Sequence, residues 1–286
     1  ITPNVEHGEV VLHRKAPLLK QAPWQRVILI DGDRRLLPIS QYPKPRDPFF
    51  PDLPADFQRS PTPLAIDKTA GKTVISDPAR LKGKDPDWLE GAMIGVHGGN
   101  NHVYFAKVDP FDPESGEVHF AEFTASTYED SQYAFYNSIR LIENPGEWAI
   151  TPIGNGRSRI YLLPDHLENG QPANIGYPVL TEAVGIVEGA SHIRVRGLRI
   201  QRYAGGAGGI FIESHPARSR DIVISDCEIR FLTGAAAISP NHCDDLVVER
   251  CTIHHCPGWT TAIFPNRVNG LRVEDCLLVK NSGSGI

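Results

Sequence analysis

The sequence lacks the basic excess of a nucleic-acid-binding protein and the long apolar run of a membrane span. Its 29 Lys and Arg residues are outnumbered by 34 Asp and Glu, which gives a formal net charge of −5. Nucleic-acid-binding proteins neutralise phosphates with clustered Lys and Arg, so we expect no nucleic-acid partner. A transmembrane helix needs about 18 or more consecutive apolar residues, and no stretch of the sequence approaches that length. We therefore expect no membrane span.

Cysteine is scarce and is not spaced for metal binding. The five cysteines are an odd number, so at least one thiol is unpaired in a monomer. No Cys-x-x-Cys pair occurs, and neither Asn241-His242-Cys243 nor His254-His255-Cys256 has the spacing of a zinc site. The sequence therefore predicts no metal site and no disulfide framework.

Turn-forming residues, by contrast, are abundant. The chain holds 26 Gly and 24 Pro among 286 residues, and 41% of its residues are hydrophobic. This composition favours many turns around a real core and argues against both a helical bundle and a disordered chain. The sequence begins at Ile1-Thr2-Pro3 with neither Met nor a secretory signal, which we interpret as a processed start.

An internal repeat organises the last third of the chain. Four segments align without gaps at intervals of 29, 24 and 25 residues: 193–200, 222–229, 246–253 and 271–278. In each, apolar residues alternate with period 2 and then skip one residue, where we expect the chain to bend. The bend positions are Gly197, Asp226, Arg250 and Asp275. Gly and Asp tolerate the left-handed backbone of such a bend, whereas the pattern does not explain Arg250.

A third short strand is predicted after each pair of strands, at 209–212, 235–238, 260–263 and 283–286. Three short strands cannot bury a hydrophobic face alone, but stacked coils of them can. A leucine-rich repeat would need helices between the strands, and the bend contradicts a propeller blade. The predicted fold is therefore all-β, with a right-handed parallel β-helix over 176–286 after an antiparallel β cap region over 1–175. Because Ile286 lies within the predicted third strand of the fourth coil, we expect further coils or a cap.

Stacking also predicts what fills the interior of the coils. Equivalent residues of a parallel stack lie about 4.8 Å apart. We therefore expect Leu198, Cys227, Cys251 and Cys276 to form one internal column, with the thiols acting as small apolar core residues.

The cap region shows strand patterns without a repeat. The alternation over 117–123 is typical of a half-buried antiparallel strand. The predicted strands of this region are 26–30, 93–96, 103–108, 117–123, 133–140, 148–151 and 159–163.

Three landmarks of this region resemble a signature of bacterial right-handed β-helix carbohydrate-active proteins. The segment Tyr136–Trp148 (YNSIRLIENPGEW) and the strand Arg159–Pro164 (RIYLLP) match a run N-x-L-x-x-L-D-x-P-G-E-W and a strand L-Y-x-x-P that lead into the coils. Ile30–Leu36, followed by Tyr42-Pro43, is similar to the family's V-N-G-x-R … R-Y-P strand. The family often has Asp shortly after the Trp, where this chain has Ala149-Ile150-Thr151.

The resemblance implies the pectate-lyase-like superfamily and, among its characterised members, glycoside hydrolases of the α-L-fucosidase and xylanase type. It implies a carbohydrate polymer as partner and a secreted or periplasmic location. It implies no cofactor, with calcium only if the reaction is that of a lyase.

In a β-helix, function is carried by outward side chains and by the turns between strands. Aligning the third strands at Ile212, Ile238 and Ile263 predicts a column of polar residues three positions later. The residues predicted to be catalytic are Asp244, Asp245, His242 and Glu213. The residues predicted to bind substrate are His215, Asn241 and Asn266 of this column, with Arg230, His254 and His255 after the bends.

Three activities remain open at this point. Coil spacings of about 5 and 10 Å bracket the carboxylate separations of retaining and inverting glycosidases, which makes a glycoside hydrolase the first hypothesis. The adjacent carboxylates of Asp244 and Asp245 are expected to raise one pKa, as a general acid requires. A polysaccharide lyase would instead need a base beside a uronate carboxylate that Arg, Lys or a cation neutralises, and Arg230 and His254 could serve in these roles. A non-catalytic carbohydrate-binding β-helix would need neither a pair of catalytic carboxylates nor a catalytic base.

Overall fold

The computed structural model describes most of the chain. The described residues are 5–6, 9–15, 28–32, 35–47, 56–99, 102–121, 130–154, 157–164, 167–168, 171–172, 175–178, 180–206, 208–258 and 260–286. No helix within these ranges is long and apolar enough to cross a membrane.

Short strands make up nearly all of the regular structure in these ranges, which confirms the predicted all-β class. The first sixteen are β1 (Val5–Glu6), β2 (Glu9–Lys15), β3 (Leu29–Asp31), β4 (Arg35–Leu37), β5 (Gln41–Tyr42), β6 (Gln58–Arg59), β7 (Ala65–Asp67), β8 (Lys72–Ser76), β9 (Met93–Gly99), β10 (His102–Asp112), β11 (Glu117–Ala121), β12 (Gln132–Tyr136), β13 (Trp148–Gly154), β14 (Arg157–Leu162), β15 (Leu167–Glu168) and β16 (Gln171–Pro172). The next thirteen are β17 (Ile175–Gly176), β18 (Glu182–Val187), β19 (Ile193–Arg196), β20 (Arg199–Ala204), β21 (Gly208–Glu213), β22 (Ser219–Ser225), β23 (Glu228–Thr233), β24 (Ala236–Glu249), β25 (Thr252–Cys256), β26 (Thr261–Ile263), β27 (Asn266–Asn269), β28 (Arg272–Glu274) and β29 (Leu277–Asn281). A four-residue helix α1 (Pro78–Leu81) and a 3₁₀ turn (Ile139–Leu141) lie among them.

The chain divides into two compact units. The first takes residues 1–22 and 38–172, and the second takes 23–37 and 173–286. The segment 23–37 thus belongs with the repeat region, an assignment that the sequence analysis did not make. The predicted boundary between 175 and 176 stays a prediction.

The first unit is built from antiparallel sheets around an aromatic core. Its largest sheet has the order β5-β12-β9-β10-β11-β8-β7. The Phe135 ring lies 6.1 Å from Trp88 and 5.3 Å from Tyr133, centroid to centroid. The predicted strand 133–140 ends early, at Tyr136, because Ser138 Oγ accepts the Arg140 N–H and turns the chain into the 3₁₀ turn. Of the predicted strand 26–30, residues 26 and 27 lie outside the described ranges.

The Pro-Gly-Glu-Trp landmark is held together by Glu147. Its carboxylate accepts hydrogen bonds from the N–H groups of Glu143 and Asn144, at 2.7 and 3.1 Å, and pairs with Lys44 Nζ at 2.7 Å. Burial alone would raise the pKa of Glu147, but these donors outweigh it and the pKa is lowered. The landmark therefore has a structural role in this chain.

The second unit contains a parallel solenoid of about four turns. Ile193 pairs with Ile222, Ile222 with Leu246, and Val248 with Val273. The second strands follow the same register, through Ile200, Ile229, Ile253 and Leu278. This is the alignment that the sequence repeat predicts, and it is confirmed.

The predicted column is confirmed in register for Leu198 and the three cysteines, but Leu198, at its start, is not buried. Cys227 and Cys251 are buried, and the Cys251 N–H lies 3.4 Å from Cys276 Sγ. Burial raises the pKa of Cys251 to about 12, as expected of a core thiol. Leu198 is 42% exposed because it precedes β20, the edge strand of its sheet.

The coils bend at residues with a left-handed backbone. The predicted corner is confirmed, with φ of 70°, 55°, 51° and 51° at Gly197, Asp226, Arg250 and Asp275. Two further corners that pass through all four coils follow the same intervals, and the sequence analysis missed them. The residues of these corners all have a positive φ. One column is His192, Asp221, Asp245 and Gly270, and the other is Arg202, Phe231, His255 and Lys280.

An ion pair accompanies the unusual corner residue Arg250. Its Nε donates to Asp226 Oδ1 at 2.8 Å, and its Nη2 donates to Glu249 Oε1 at 2.7 Å. The bond from Arg250 is the largest cause that holds the pKa of Asp226 at about 2. The side chain thus bonds the equivalent corner of the previous coil.

The predicted strand 283–286 is wrong. Ala262 N–H and Ile263 N–H donate to the carbonyls of Ser284 and Gly285, at 3.0 and 3.1 Å, but no strand is formed there. Gly283 and Gly285 carry no side chains to pack on the coil before, which weakens strand formation.

Strands β17, β3 and β4 form a separate antiparallel sheet in the second unit. Ile28, Ile30 and Leu36 of this segment form one buried cluster with Phe231. Arg202 Nη2 also donates to the Gly32 carbonyl at 2.6 Å. Segment 28–37 therefore covers part of the outward face of the second strands.

Candidate functional site

A column of polar side chains crosses three coils at the end of the third strands. Glu213 lies opposite Asn241, and Asn241 lies opposite Asn266. Asn241 Nδ2 donates to both carboxylate oxygens of Glu213, at 3.0 and 2.8 Å. The predicted pairing of Asn241 with Asn266 is confirmed, whereas the predicted place of His215 in this column is wrong.

The error has a simple cause in the sequence of β21. Ile210 and Ile212 are two residues apart and are both buried, so either could be aligned with Ile238. The structure pairs Ile210 with Ile238, which shifts the register by two residues. Glu213 therefore takes the position in the column that the sequence analysis gave to His215.

His215 lies against His242 instead. The two rings are 4.9 Å apart in an edge-on arrangement. On the following coil, Arg267 Nη1 lies 2.9 Å from His242 Nε2. His242 and Arg267 are corner residues of successive coils, with φ of 54° and 52°.

The surroundings of His242 favour its uncharged form. Burial is the largest cause that lowers the pKa of His242, followed by the positive charge of Arg267 and by His215 and Arg218. Glu213 acts in the opposite direction but does not outweigh them. His242 is therefore neutral over a wider pH range than an ordinary histidine.

Asp244 is held by an arginine that the sequence analysis did not select. Arg218 Nη2 and Nε donate to Asp244 Oδ1 at 2.7 and 2.9 Å, and Asn269 Nδ2 donates to the same oxygen at 2.8 Å. The bonds from Arg218 and Asn269 lower the pKa of Asp244. A general acid needs a raised pKa, whereas the pKa of Asp244 is lowered. Asp244 is therefore an ionised carboxylate that anchors the turn.

Asp245 has a different environment from its neighbour. It occupies a left-handed corner at φ 53°, and it is exposed. No described residue donates a hydrogen bond to its carboxylate. Asp245 is thus available to a ligand in a way that Asp244 is not.

Arg230, His254 and His255 belong to a second cluster, on the sheet β20-β23-β25-β29. Arg230 lies opposite His254 in adjacent strands. His254 Nδ1 lies 2.7 Å from His255 Nδ1. Phe231 packs beneath the guanidinium of Arg230, whose Cζ is 4.8 Å from the ring centroid. The ten predicted residues are therefore divided between two faces of the solenoid.

Glu228 is the centre of this second cluster, and the sequence analysis missed it. Arg199 Nε donates to Glu228 Oε2 at 2.6 Å, and His254 Nε2 lies 3.3 Å from Glu228 Oε1. Burial would raise the pKa of Glu228, but the bonds from Arg199 and His254 outweigh it and the pKa is lowered. The same repeat alignment that gave Arg230 also brings Arg199 and Glu228 together, so the sequence did hold this signal.

No group of three or more His, Cys, Asp or Glu side chains that could hold a metal ion occurs in the described part of the chain. Glu213, Asp244 and Asp245 accordingly make no cation site with one another there.

Comparison with known proteins adds little to this geometry. A scan against protein-family models finds no match, and a search of curated proteins also finds none. Among solved structures, a glycoside hydrolase matches over 96% of this chain and 81% of that chain, at 10% sequence identity and a TM-score of 0.45. A likeness this weak identifies neither a family nor an activity.

Proposed function

We propose that this protein is a carbohydrate-active enzyme, a glycoside hydrolase that acts on a polysaccharide or oligosaccharide outside the cell or in the periplasm. The observation that carries the proposal is the column Glu213, Asn241 and Asn266 on three successive coils. Its members repeat about every 4.8 Å, so a row of carboxylate and amide groups faces an extended ligand. Such groups bind the hydroxyls of a glycan by hydrogen bonds. The resemblance of the Pro-Gly-Glu-Trp landmark agrees with this class of ligand.

Within this proposal, Glu213 and Asp245 are the catalytic carboxylates. They lie on adjacent coils, and neither is tied to an arginine. Glycoside hydrolysis uses one carboxyl group to protonate the leaving oxygen and another to attack the sugar or to activate water. Asp244 is bound by Arg218 at 2.7 Å and serves to hold the turn that carries Asp245. Asn241 orients the Glu213 carboxylate, and Asn266 extends the row of hydrogen-bonding groups.

The test is a substrate screen followed by isosteric variants. Xylan, pectin, fucosylated glycans and alginate are incubated with the protein, and reducing ends and unsaturated products are measured. We expect new reducing ends without unsaturation. Glu213→Gln and Asp245→Asn should each lower kcat by about 100-fold or more, with unchanged thermal unfolding. Glu274→Gln is the matched control, because Glu274 is an exposed solenoid carboxylate paired with Arg272.

Other outcomes would overturn the proposal in distinct ways. Unsaturated products would replace the hydrolase with a lyase. Glycan binding without turnover, unchanged in Glu213→Gln and Asp245→Asn, would replace it with a non-catalytic binding module. Turnover that persists in both variants would move the active centre elsewhere.

A further inference from the structure

Most of the ten arginines between residues 173 and 286 are paired with carboxylates. Seven of them lie within 4 Å of an Asp or Glu oxygen: Arg194, Arg196, Arg199, Arg218, Arg230, Arg250 and Arg272. Arg267 is different, since its guanidinium contacts no carboxylate in the described part of the chain. Its one side-chain partner there is His242 Nε2, at 2.9 Å. A guanidinium prefers a bidentate oxyanion partner, and Arg267 has none.

The contact with His242 fixes the chemistry of both residues. Arg267 is always protonated and can only donate, so His242 Nε2 must accept. An imidazole that accepts at Nε2 is neutral and carries its proton on Nδ1. His242 Nδ1 is itself shielded from solvent and has no hydrogen-bond partner within the described ranges. Neither nitrogen is therefore open to a ligand, and His242 acts as an acceptor that orients Arg267 instead of as a base.

Two further contacts hold this pair in place. The ring of His215 packs edge-on against His242 with 4.9 Å between centroids. On the Arg267 side, Arg218 Nη2 donates to the Arg267 backbone carbonyl at 2.8 Å. Arg267 is thus held at its backbone carbonyl and at one nitrogen of its exposed guanidinium. The remaining N–H groups of the guanidinium have no protein acceptor in the described ranges. Arg220 also has no carboxylate partner among the described residues, but no side-chain contact orients it.

We propose that Arg267, held in position by neutral His242, binds an oxyanion carried by the sugar ligand, either a carboxylate or a sulfate group. This inference rests on the proposed function and refines it, because it makes the preferred ligand an anionic glycan. The ionisable groups that act on His242 are Arg267, Arg218 and His215 on the basic side and Glu213 on the acidic side. Glu213 is hydrogen-bonded to Asn241, and no ion pair joins it to Arg267 in the described part of the chain.

The binding test compares charged and uncharged oligosaccharides of one length. Trigalacturonate, a sulfated galactotriose and unmodified galactotriose are titrated calorimetrically into the wild-type protein. We expect both charged sugars to bind about tenfold or more tightly than galactotriose, with the preference weakening as salt is added. The tighter binder of the two charged sugars shows whether the site prefers a carboxylate or a sulfate group. Arg267→Met should abolish the preference, and Arg272→Met should keep it, because Arg272 lies in the same coil and is paired with Glu274.

The role of His242 has its own readout, which needs no ligand. In the ¹⁵N-histidine-labelled protein at neutral pH, we expect His242 to be neutral with its proton on Nδ1. Arg267→Met should shift His242 toward the Nε2-protonated tautomer and raise its pKa, while Arg272→Met should change neither. A charged His242, or an Nε2 proton in the wild-type protein, would overturn the positioning role. His242→Phe keeps an aromatic ring at this position but removes the Nε2 acceptor of Arg267, so it should reduce the preference for charged sugars.

The outcomes separate this inference from the proposed function. Equal binding of all three sugars, unchanged in Arg267→Met, would overturn the inference and leave the hydrolase proposal standing. Binding of none of them, together with no turnover in the substrate screen, would overturn both.

Discussion

The two units of this chain build their interiors in different ways. The first packs single aromatic residues such as Trp148, Tyr133 and Phe120, each with its own neighbours. The second repeats a few aliphatic and thiol positions along columns, for example Ile200, Ile229 and Ile253. A repeated interior can be recognised in the sequence because each coil copies the one before, whereas an interior built from unique contacts leaves no such record.

The units also treat buried polar groups differently. In the first, Glu147 collects several donors at one point, and Asn137 bonds both the N–H and the carbonyl of Ile150. In the solenoid, polar side chains instead bond their equivalents on the next coil, as Asn241 does with Glu213. Repetition therefore leaves rows of polar groups on the outside, and all ten predicted site residues lie there.

The largest effect that tests this contrast is expected from the solenoid interior. Ile253 is fully buried between Ile229 and Leu278. Ile253→Ala removes side-chain contacts with both neighbouring coils and should lower the free energy of unfolding by about 3 kcal/mol. Leu277→Ala, on the adjacent strand β29 and 56% exposed, is the control and should cost less than about 1 kcal/mol. Equal losses in urea denaturation would mean that the column is not the core of the solenoid.

A smaller effect is expected at the unique polar centre of the first unit. Glu147→Gln weakens the bond to Lys44 and should cost about 2 kcal/mol at neutral pH. Because the folded-state pKa of Glu147 is lowered, its ionised form contributes stability above the ordinary pKa of glutamate. That contribution is lost as pH falls through the lowered pKa.

The measurement is chemical denaturation at several pH values from neutral to about pH 3. The loss of stability on acidification should be shallower in Glu147→Gln than in the wild-type protein. Glu143→Gln is the control, since Glu143 is 60% exposed and 3.7 Å from Lys44. A parallel pH dependence in wild-type and Glu147→Gln proteins would contradict the role of Glu147.

The smallest effect is expected at a solenoid corner. Asp275 has φ 51°, and Asp275→Gly should change the free energy of unfolding by less than about 0.5 kcal/mol. Glycine relieves the left-handed strain but adds entropy to the unfolded chain, so the two effects oppose each other. In the first unit, Gly116 also has a positive φ, but a Cβ there would lie 2.7 Å from the Pro78 backbone. Gly116→Ala should therefore cost about 1 kcal/mol or more, and equal tolerance at both sites would remove this difference between the units.

Much of the solenoid could be predicted from particular residues. The spacing of Ile193, Ile222 and Leu246 gave the register, and Gly197 and Asp226 marked a corner. The corner through Arg202 and Phe231 could not be found in this way, because neither residue type favours a left-handed backbone. The register of β21 was also ambiguous, since Ile210 and Ile212 fit one period-2 pattern equally well.

The candidate site was predicted less completely. The residue types and the column of Asn241 and Asn266 followed from the repeat, but the partners of Asp244 and His242 did not. Arg218 and Arg267 reach these residues from other coils, and sequence spacing says nothing about where a long, flexible side chain ends. Those contacts decide which carboxylate is anchored and which cation is left without an acidic partner.

The sequence by itself determined that this chain forms stacked parallel coils. A period-2 apolar pattern that is repeated at a nearly constant interval buries its inward residues when each coil stacks on the one before. Only the tertiary structure decided the ionisation and tautomer of the outward groups. Those depend on distances of a few ångströms between side chains of different coils, and electrostatic interactions change steeply over such distances.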